Sequence, residues 1–133
     1  MAPAKGPELF FGLVGAVGSR LKAVATALKH SLGRVEYQVE VVQSIELLHQ
    51  IEQYDSEMKQ TPVDKRYETY MDAGDKFRRQ MGLGDALARL SIGSVRGKRK
   101  HVNGNTDYPI DRCAYVFKSL KHPDEVSLLT CPL

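Results

Sequence analysis

The segment that most constrains the fold lies near the start of the chain, where an apolar run enters a glycine-rich stretch. Leu9 to Val14 (LFFGLV) is uniformly apolar, which is typical of a strand buried on both faces of a parallel sheet. Gly12, Gly15 and Gly18 recur at intervals of three, and residues 19–32 then carry leucine, valine and alanine at helical spacing. This order of strand, glycine loop and helix predicts the first part of a βαβ unit.

The remaining patterns continue the alternation of strands and helices. The spacing predicts strands at 36–42 and 113–117, and helices at 45–53, 61–80, 86–95 and from Pro123 onward. Turn-forming residues predict a loop from Gly97 to Asp111. We therefore expect an α/β fold with a mostly parallel sheet flanked by helices, in one domain over residues 1–133. With three strands and an end inside a helix, we expect the domain to be incomplete.

The glycine stretch has the setting of a phosphate-binding loop. Such a loop needs a strand to deliver the chain, glycines that let backbone N–H groups turn inward, and a helix that starts at once. Here the loop would comprise Gly12 and the six residues from position 15 to position 20, which are Gly15, Ala16, Val17, Gly18, Ser19 and Arg20.

The lysine version of this loop, GxxxxGK[ST], is not met. Counting from Gly15, Arg20 and Leu21 stand where the second glycine and the lysine belong, and Lys22 stands at the hydroxyl position. The pattern therefore favours anion binding more than phosphoryl transfer. The alternative is a close-packed turn from strand to helix that needs small residues.

The net charge of +3 mildly favours anionic partners, and nucleic acid is not expected. A basic run is interpreted either as a solvated helix end with its loop or as a phosphate contact; its members are Arg96, Lys98, Arg99, Lys100 and His101. Cys113 and Cys131 do not form a zinc or disulfide pattern. The first residues lack a signal-peptide pattern and no segment is apolar enough to span a membrane, so we expect a cytoplasmic protein.

Two further cations are candidates for contact with a nucleotide. Arg78, with its neighbour Arg79, is placed on a predicted helix from which it could reach over a triphosphate, or it could simply carry surface charge. Lys118 follows the predicted strand 113–117, at the end where doubly wound sheets bind ligands. Ordinary loop polarity is the alternative for Lys118.

Two strings carry a resemblance to a known family. PELFFGLVGAVGSRL and RCAYVFKSLKHPDEVSLL, with a compatible YETYMDAGDKFRRQMG between them, resemble the N-terminal region of bacterial anti-phage deoxycytidylate deaminases. The resemblance implies a P-loop kinase-like domain that precedes a zinc deaminase domain, a hydrolase acting on dCTP and dCMP in antiviral defence. It also implies an atypical loop, in which Gly15, Val17, Gly18 and Ser19 take the phosphate-binding role.

The chain departs from that family at the chemistry of deamination. Zinc deaminases need H-x-E and a later P-C-x-x-C, and neither occurs here. We therefore expect no catalytic residue and no zinc in this chain, with zinc confined to a missing deaminase domain and Mg-nucleotide as the cofactor that would fit.

Three interpretations follow. The first is a regulatory nucleotide-binding domain that binds a dNTP or NTP, pairs with a separate deaminase domain or chain, and is able to form homo-oligomers. The alternative is a small nucleotide or nucleoside kinase with an atypical loop, and the third is an unfolded remnant without a function of its own.

Overall fold

The computed structural model describes residues 6–15, 20–120 and 123–129. Their order of elements is β1 (Leu9–Val14), α1 (Leu21–Gly33), β2 (Gln38–Gln43), a 3₁₀ helix (Ser44–Gln50), α2 (Glu52–Asp55), α3 (Val63–Met81), α4 (Ala86–Asn103), β3 (Cys113–Leu120) and α5 (Pro123–Leu129). The α/β class expected from the sequence is confirmed. None of the helices within these ranges is long and apolar enough to cross a bilayer.

The three strands form one parallel sheet in the order β1-β3-β2. β3 is therefore the central strand, although it is the last of the three in the chain. β1 pairs with β3 from Leu9 opposite Ala114 to Gly12 opposite Phe117, and after an irregularity Val14 lies opposite Leu120. The carboxyl ends of β1 and β3 consequently meet at the same edge of the sheet.

The chain divides into two compact units. The first comprises Met1–Val42 and Ile92–Lys121, and the second comprises Gln43–Ser91 and His122–Leu133. The first unit contains the sheet and α1, and its core is built on β3, where every residue from Cys113 to Phe117 is at most 2% exposed. Phe10 stacks on the rings of Tyr115 and Phe117, with centroids 5.2 and 6.2 Å apart.

The core of the second unit is a helical cluster. Its buried members are Leu48, Tyr54, Met58, Tyr70, Ala73, Phe77, Ala86 and Leu87. Tyr70, Ala73 and Phe77 follow helical spacing on α3, which explains why this helix forms with one apolar stripe. Gly74 permits close packing beside that stripe, since an added Cβ would lie 3.1 Å from Cδ1 of Ile45.

Three predicted elements differ in the structure. The helix expected at 45–53 is a 3₁₀ helix followed by the single turn of α2. The loop expected from Gly97 is wrong in its first half, because α4 continues to Asn103. The third strand extends to Leu120, three residues beyond the predicted end. The predicted helices ending near Gly33 and Gln80, and the one beginning at Pro123, are confirmed within a residue or two.

The physical reason for the longer α4 is that its glycines are compatible with a helix. Neither Gly93 nor Gly97 has a positive φ, and a Cβ at either would meet nothing within 4 Å. The helix can therefore continue through both positions, at a cost of about 1 kcal/mol for each glycine relative to alanine.

Candidate functional site

The glycine loop begins at the sheet edge that β1 and β3 share. Gly12 lies within β1 opposite Phe117, and Gly15 follows the last residue of the strand. The chain is described again from Arg20, directly before the first residue of α1. Four predicted loop residues lie outside the described residues: Ala16, Val17, Gly18 and Ser19. The described flanks thus place a strand end and a helix start at the two ends of the predicted loop.

The start of α1 carries exposed positive charge. Arg20 is the N-cap residue, and no side chain of the described residues caps this turn. The first turn contains no acidic residue, and Arg20 and Lys22 are both exposed there. Cations at the positive end of a helix dipole are unfavourable by about 0.3–1 kcal/mol each. A bound anion would relieve that repulsion and accept hydrogen bonds from the free N–H groups of the turn.

The outward face of α1 is shallowly concave beyond this start. The depression has a volume of about 690 Å³ and is lined by Arg20, Lys22, Ala23, Thr26, Ala27 and His30. The Thr26 hydroxyl donates to the Lys22 carbonyl at 2.9 Å, so it is already engaged within the helix.

Lys118 does not lie beyond the end of a strand, contrary to the sequence prediction. It is inside β3, two residues before Leu120, and it is half-buried. The prediction failed because polar residues at 118 and 119 looked like the end of the apolar run. Lys118 still belongs to the first unit, together with Gly12, Gly15 and Arg20.

Arg78 belongs to the second unit, where it is held by two carboxylates. Its Nε donates to Oε1 of Glu125 at 3.0 Å, and its NH1 lies 3.3 Å from Oδ1 of Asp75. Glu125 on α5 is only 1% exposed, so the guanidinium compensates a buried charge. The structure therefore gives Arg78 an internal role that the sequence did not indicate.

The basic run is largely neutralised. Arg96 lies 2.9 Å from Asp107, Lys98 lies 2.5 Å from Glu40, and Arg99 pairs with the buried Glu8. All three cations extend from α4, whereas the loop predicted from Gly97 would have contained Lys98 and Arg99. Paired cations contribute little to the electrostatic attraction of a polyanion, so these three side chains offer it little net charge.

A polar cluster that sequence reasoning missed lies in the second unit. Nδ1 of His49 is 2.6 Å from Oδ1 of Asp55, and Nε2 of His49 is 2.8 Å from the hydroxyl of Tyr70. Glu46 and Gln60 each approach Nε2 at 3.4 Å. Nothing in the sequence marks this cluster, because its members come from the 3₁₀ helix, α2, α3 and the segment between the two helices.

Within residues 6–15, 20–120 and 123–129, no group of three or more histidine, cysteine, aspartate or glutamate side chains is placed to hold a metal ion. No protein-family model, no curated protein and no solved structure matches this chain.

Proposed function

We propose that this chain is a nucleotide-binding regulatory domain whose phosphate site is the segment from Gly15 to Arg20 together with the start of α1. The observation that carries the proposal is the position of this segment between the end of β1 and α1, beside the carboxyl end of the adjacent parallel strand β3. In open α/β sheets, ligands bind outside the carboxyl ends of the strands.

The charges at this edge support an anionic ligand. Arg20 and Lys22 are exposed at the positive end of α1, which has no acidic residue in its first turn. Lys118 lies on the neighbouring strand, near the same edge. Three cations and the free N–H groups of a helix start fit the phosphates of a dNTP or NTP, with Mg²⁺ supplied by the nucleotide complex.

The partner of this domain is proposed from the resemblance to anti-phage deoxycytidylate deaminases. A cytoplasmic deaminase domain or chain that carries H-x-E and P-C-x-x-C would provide the zinc chemistry that this sequence lacks. In that arrangement the chain senses nucleotide and does not itself deaminate.

Isothermal titration of the purified chain with dCTP and with ATP, in the presence of Mg²⁺, tests the proposal. We expect saturable binding without release of nucleoside diphosphate. Arg20→Ala should weaken binding about 10- to 100-fold, because a charge-assisted hydrogen bond contributes about 1.5–3 kcal/mol. The matched control is Lys29→Ala, which removes an exposed cation near the opposite end of the same helix and should leave affinity unchanged.

Two results would contradict the proposal. One is the absence of heat with either nucleotide from a chain whose circular dichroism melts cooperatively. The other is an equal loss of affinity in Arg20→Ala and Lys29→Ala, which would indicate general charge attraction. Release of ADP with an acceptor nucleoside would instead favour the kinase alternative.

A further inference from the structure

The cluster around His49 has the arrangement of a nucleophile, a base and a residue that orients the base. We propose that Tyr70, His49 and Asp55 form a catalytic triad in the second unit, with Tyr70 as an acyl acceptor for uncharged carboxylic esters. This activity is separate from nucleotide binding, because every residue of the triad lies outside the first unit.

The hydrogen bonds assign the role of each nitrogen. The Asp55 carboxylate, 2.6 Å from Nδ1 of His49, accepts a hydrogen bond from the Nδ1–H group and so holds the imidazole in the tautomer whose Nε2 is an acceptor. The Tyr70 hydroxyl lies 2.8 Å from Nε2 and donates to it. A hydroxyl, an imidazole and a carboxylate connected in this way form the general pattern of an activated nucleophile.

Packing fixes Tyr70 in this geometry. The residue is 7% exposed and belongs to the core cluster of the second unit. The His49 ring meets its ring edge-on at a centroid distance of 5.4 Å, and the Arg66 guanidinium lies over the ring at 5.6 Å. Burial and the nearby Glu46 raise the pKa of Tyr70, so the phenol stays neutral until a base removes its proton. That property makes the contact with His49 necessary for attack.

Local charge selects the class of substrate. Glu46 lies 3.4 Å from Nε2 of His49, and Asp55 lies on the other side of the ring. Arg66, 4.0 Å from Glu46, is the nearby cation that partly offsets these two carboxylates. A phosphate or carboxylate substrate would meet net repulsion, whereas an uncharged ester would not.

The proposed reaction needs only the ester and water. Oη of Tyr70 attacks the carbonyl carbon while its proton passes to Nε2 of His49, and an oxyanion forms. The Gln60 amide, 3.4 Å from Nε2 of His49, and the Arg66 guanidinium, 5.6 Å from the centre of the Tyr70 ring, are the donors that we propose to stabilise it. The oxyanion collapses, the bond to the alcohol oxygen breaks, and the alcohol takes the proton from Nε2. Water, deprotonated by the same nitrogen, then attacks the acyl carbon of the tyrosyl ester. The bond to Oη breaks, the carboxylic acid is released, and Oη takes the proton from Nε2, which restores the Tyr70 hydroxyl.

Acetylation by p-nitrophenyl acetate tests the triad in the full chain, with peptide mapping by mass spectrometry to locate the acetyl group. We expect Tyr70 to be acetylated at least about 10-fold faster than Tyr108, which is 62% exposed and serves as the internal reference. His49→Gln should slow acetylation of Tyr70 about 100-fold, since a general base contributes about 10²–10⁴ in rate. Asp55→Asn should slow it less, through loss of the fixed tautomer.

The pH profile of the unmodified chain keeps the test independent of how well the variants fold. If His49 is the base, Tyr70 reacts as a neutral phenol whose proton passes to His49, whereas Tyr108 reacts through its phenolate, so the two rates should change differently with pH. Acetylation of Tyr70 no faster than that of Tyr108, or an identical pH profile for both, would overturn the triad and leave the cluster a structural hydrogen-bond network.

Discussion

Replacing Glu8 by glutamine should remove a large part of the stability of the first unit. The Glu8 side chain is 3% exposed, and it pairs with Arg99, whose side chain is 7% exposed. Nε of Arg99 donates to the carboxylate at 3.1 Å, and the backbone N–H of Ile110 donates to it at 2.8 Å. The Tyr115 hydroxyl is a further donor at 3.4 Å. One carboxylate therefore connects the residue before β1 to α4, to the segment before β3, and to β3 itself.

The expected loss follows from what the substitution leaves behind. Glutamine preserves the shape of the side chain but leaves the Arg99 guanidinium buried without a counter-charge, which costs about 3–5 kcal/mol. The free energy of unfolding of a natural domain is about 5–15 kcal/mol, so this one change removes a large share of it. Removal of both charges should be milder: Glu8→Leu with Arg99→Met should regain part of the loss, because apolar replacements of a buried pair are often nearly neutral.

Urea unfolding followed by far-UV circular dichroism measures these differences, and Glu40→Gln is the matched control. Glu40 also pairs with a cation of α4, Lys98, but it is 50% exposed. Its loss should cost less than about 1 kcal/mol. If Glu8→Gln destabilises the chain by no more than Glu40→Gln does, burial does not make the loss of the Glu8 charge costly, and the argument from burial is wrong.

Three further predictions concern pH, thiol reactivity and a helix end. Burial raises the pKa of Tyr115 above the ordinary phenol value of ~10. The contribution of Tyr115 to the free energy of unfolding is therefore complete below pH ~10 and declines above it, where the phenol ionises in the unfolded chain but not in the folded one. Tyr115→Phe should for this reason reduce the fall of the urea midpoint at alkaline pH, and an unchanged fall would refute this. Burial also raises the pKa of the Cys113 thiol, which makes it less reactive in the folded chain. In a Cys131→Ser variant, a disulfide reagent should therefore label Cys113 much more slowly in the folded chain than in urea. Equal rates would contradict this. Gly82→Ala should destabilise the chain by about 1–2 kcal/mol, because the φ of Gly82 is 68°. Gly97→Ala, inside α4, should stabilise the chain by about 0.5–1 kcal/mol. Thermal melts that shift in the same direction for both variants would refute the conformational argument.

Elements determined by local pattern were predictable from the sequence. β1 followed from its apolar run, α1 from its spacing up to Gly33, and α5 from Pro123 with two acidic residues in its first turn. The length of α4 was not predictable in this way. The glycines at 93 and 97 suggested an early end, and the second half of the helix makes ion pairs with Glu8, Glu40 and Asp107, which lie 91, 58 and 11 residues away from their partners in the chain.

The two proposed sites also differ in how far apart their residues lie in the sequence. The residues of the glycine loop are contiguous, so the alternation of strand, loop and helix was enough to predict a phosphate site there. The residues of the proposed triad are not contiguous: Tyr70 is 21 residues from His49, and Asp55 is 6 residues from it on a different helix. The packing of α2 and of α3 against the 3₁₀ helix brings the three side chains together.

Positive charge shows most clearly why residue type alone does not locate a ligand site. By count, the densest basic segment is Arg96 to His101, and α1 appears ordinary. In the folded chain three of the cations of that segment are committed to carboxylates. Arg20 and Lys22 instead lie exposed where the helix dipole is already positive, an arrangement that the chain's own first turn does nothing to offset. An anion is attracted to exposed positive charge at a helix N-terminus, and for this reason we propose the phosphate site at the start of α1 and not at the basic run.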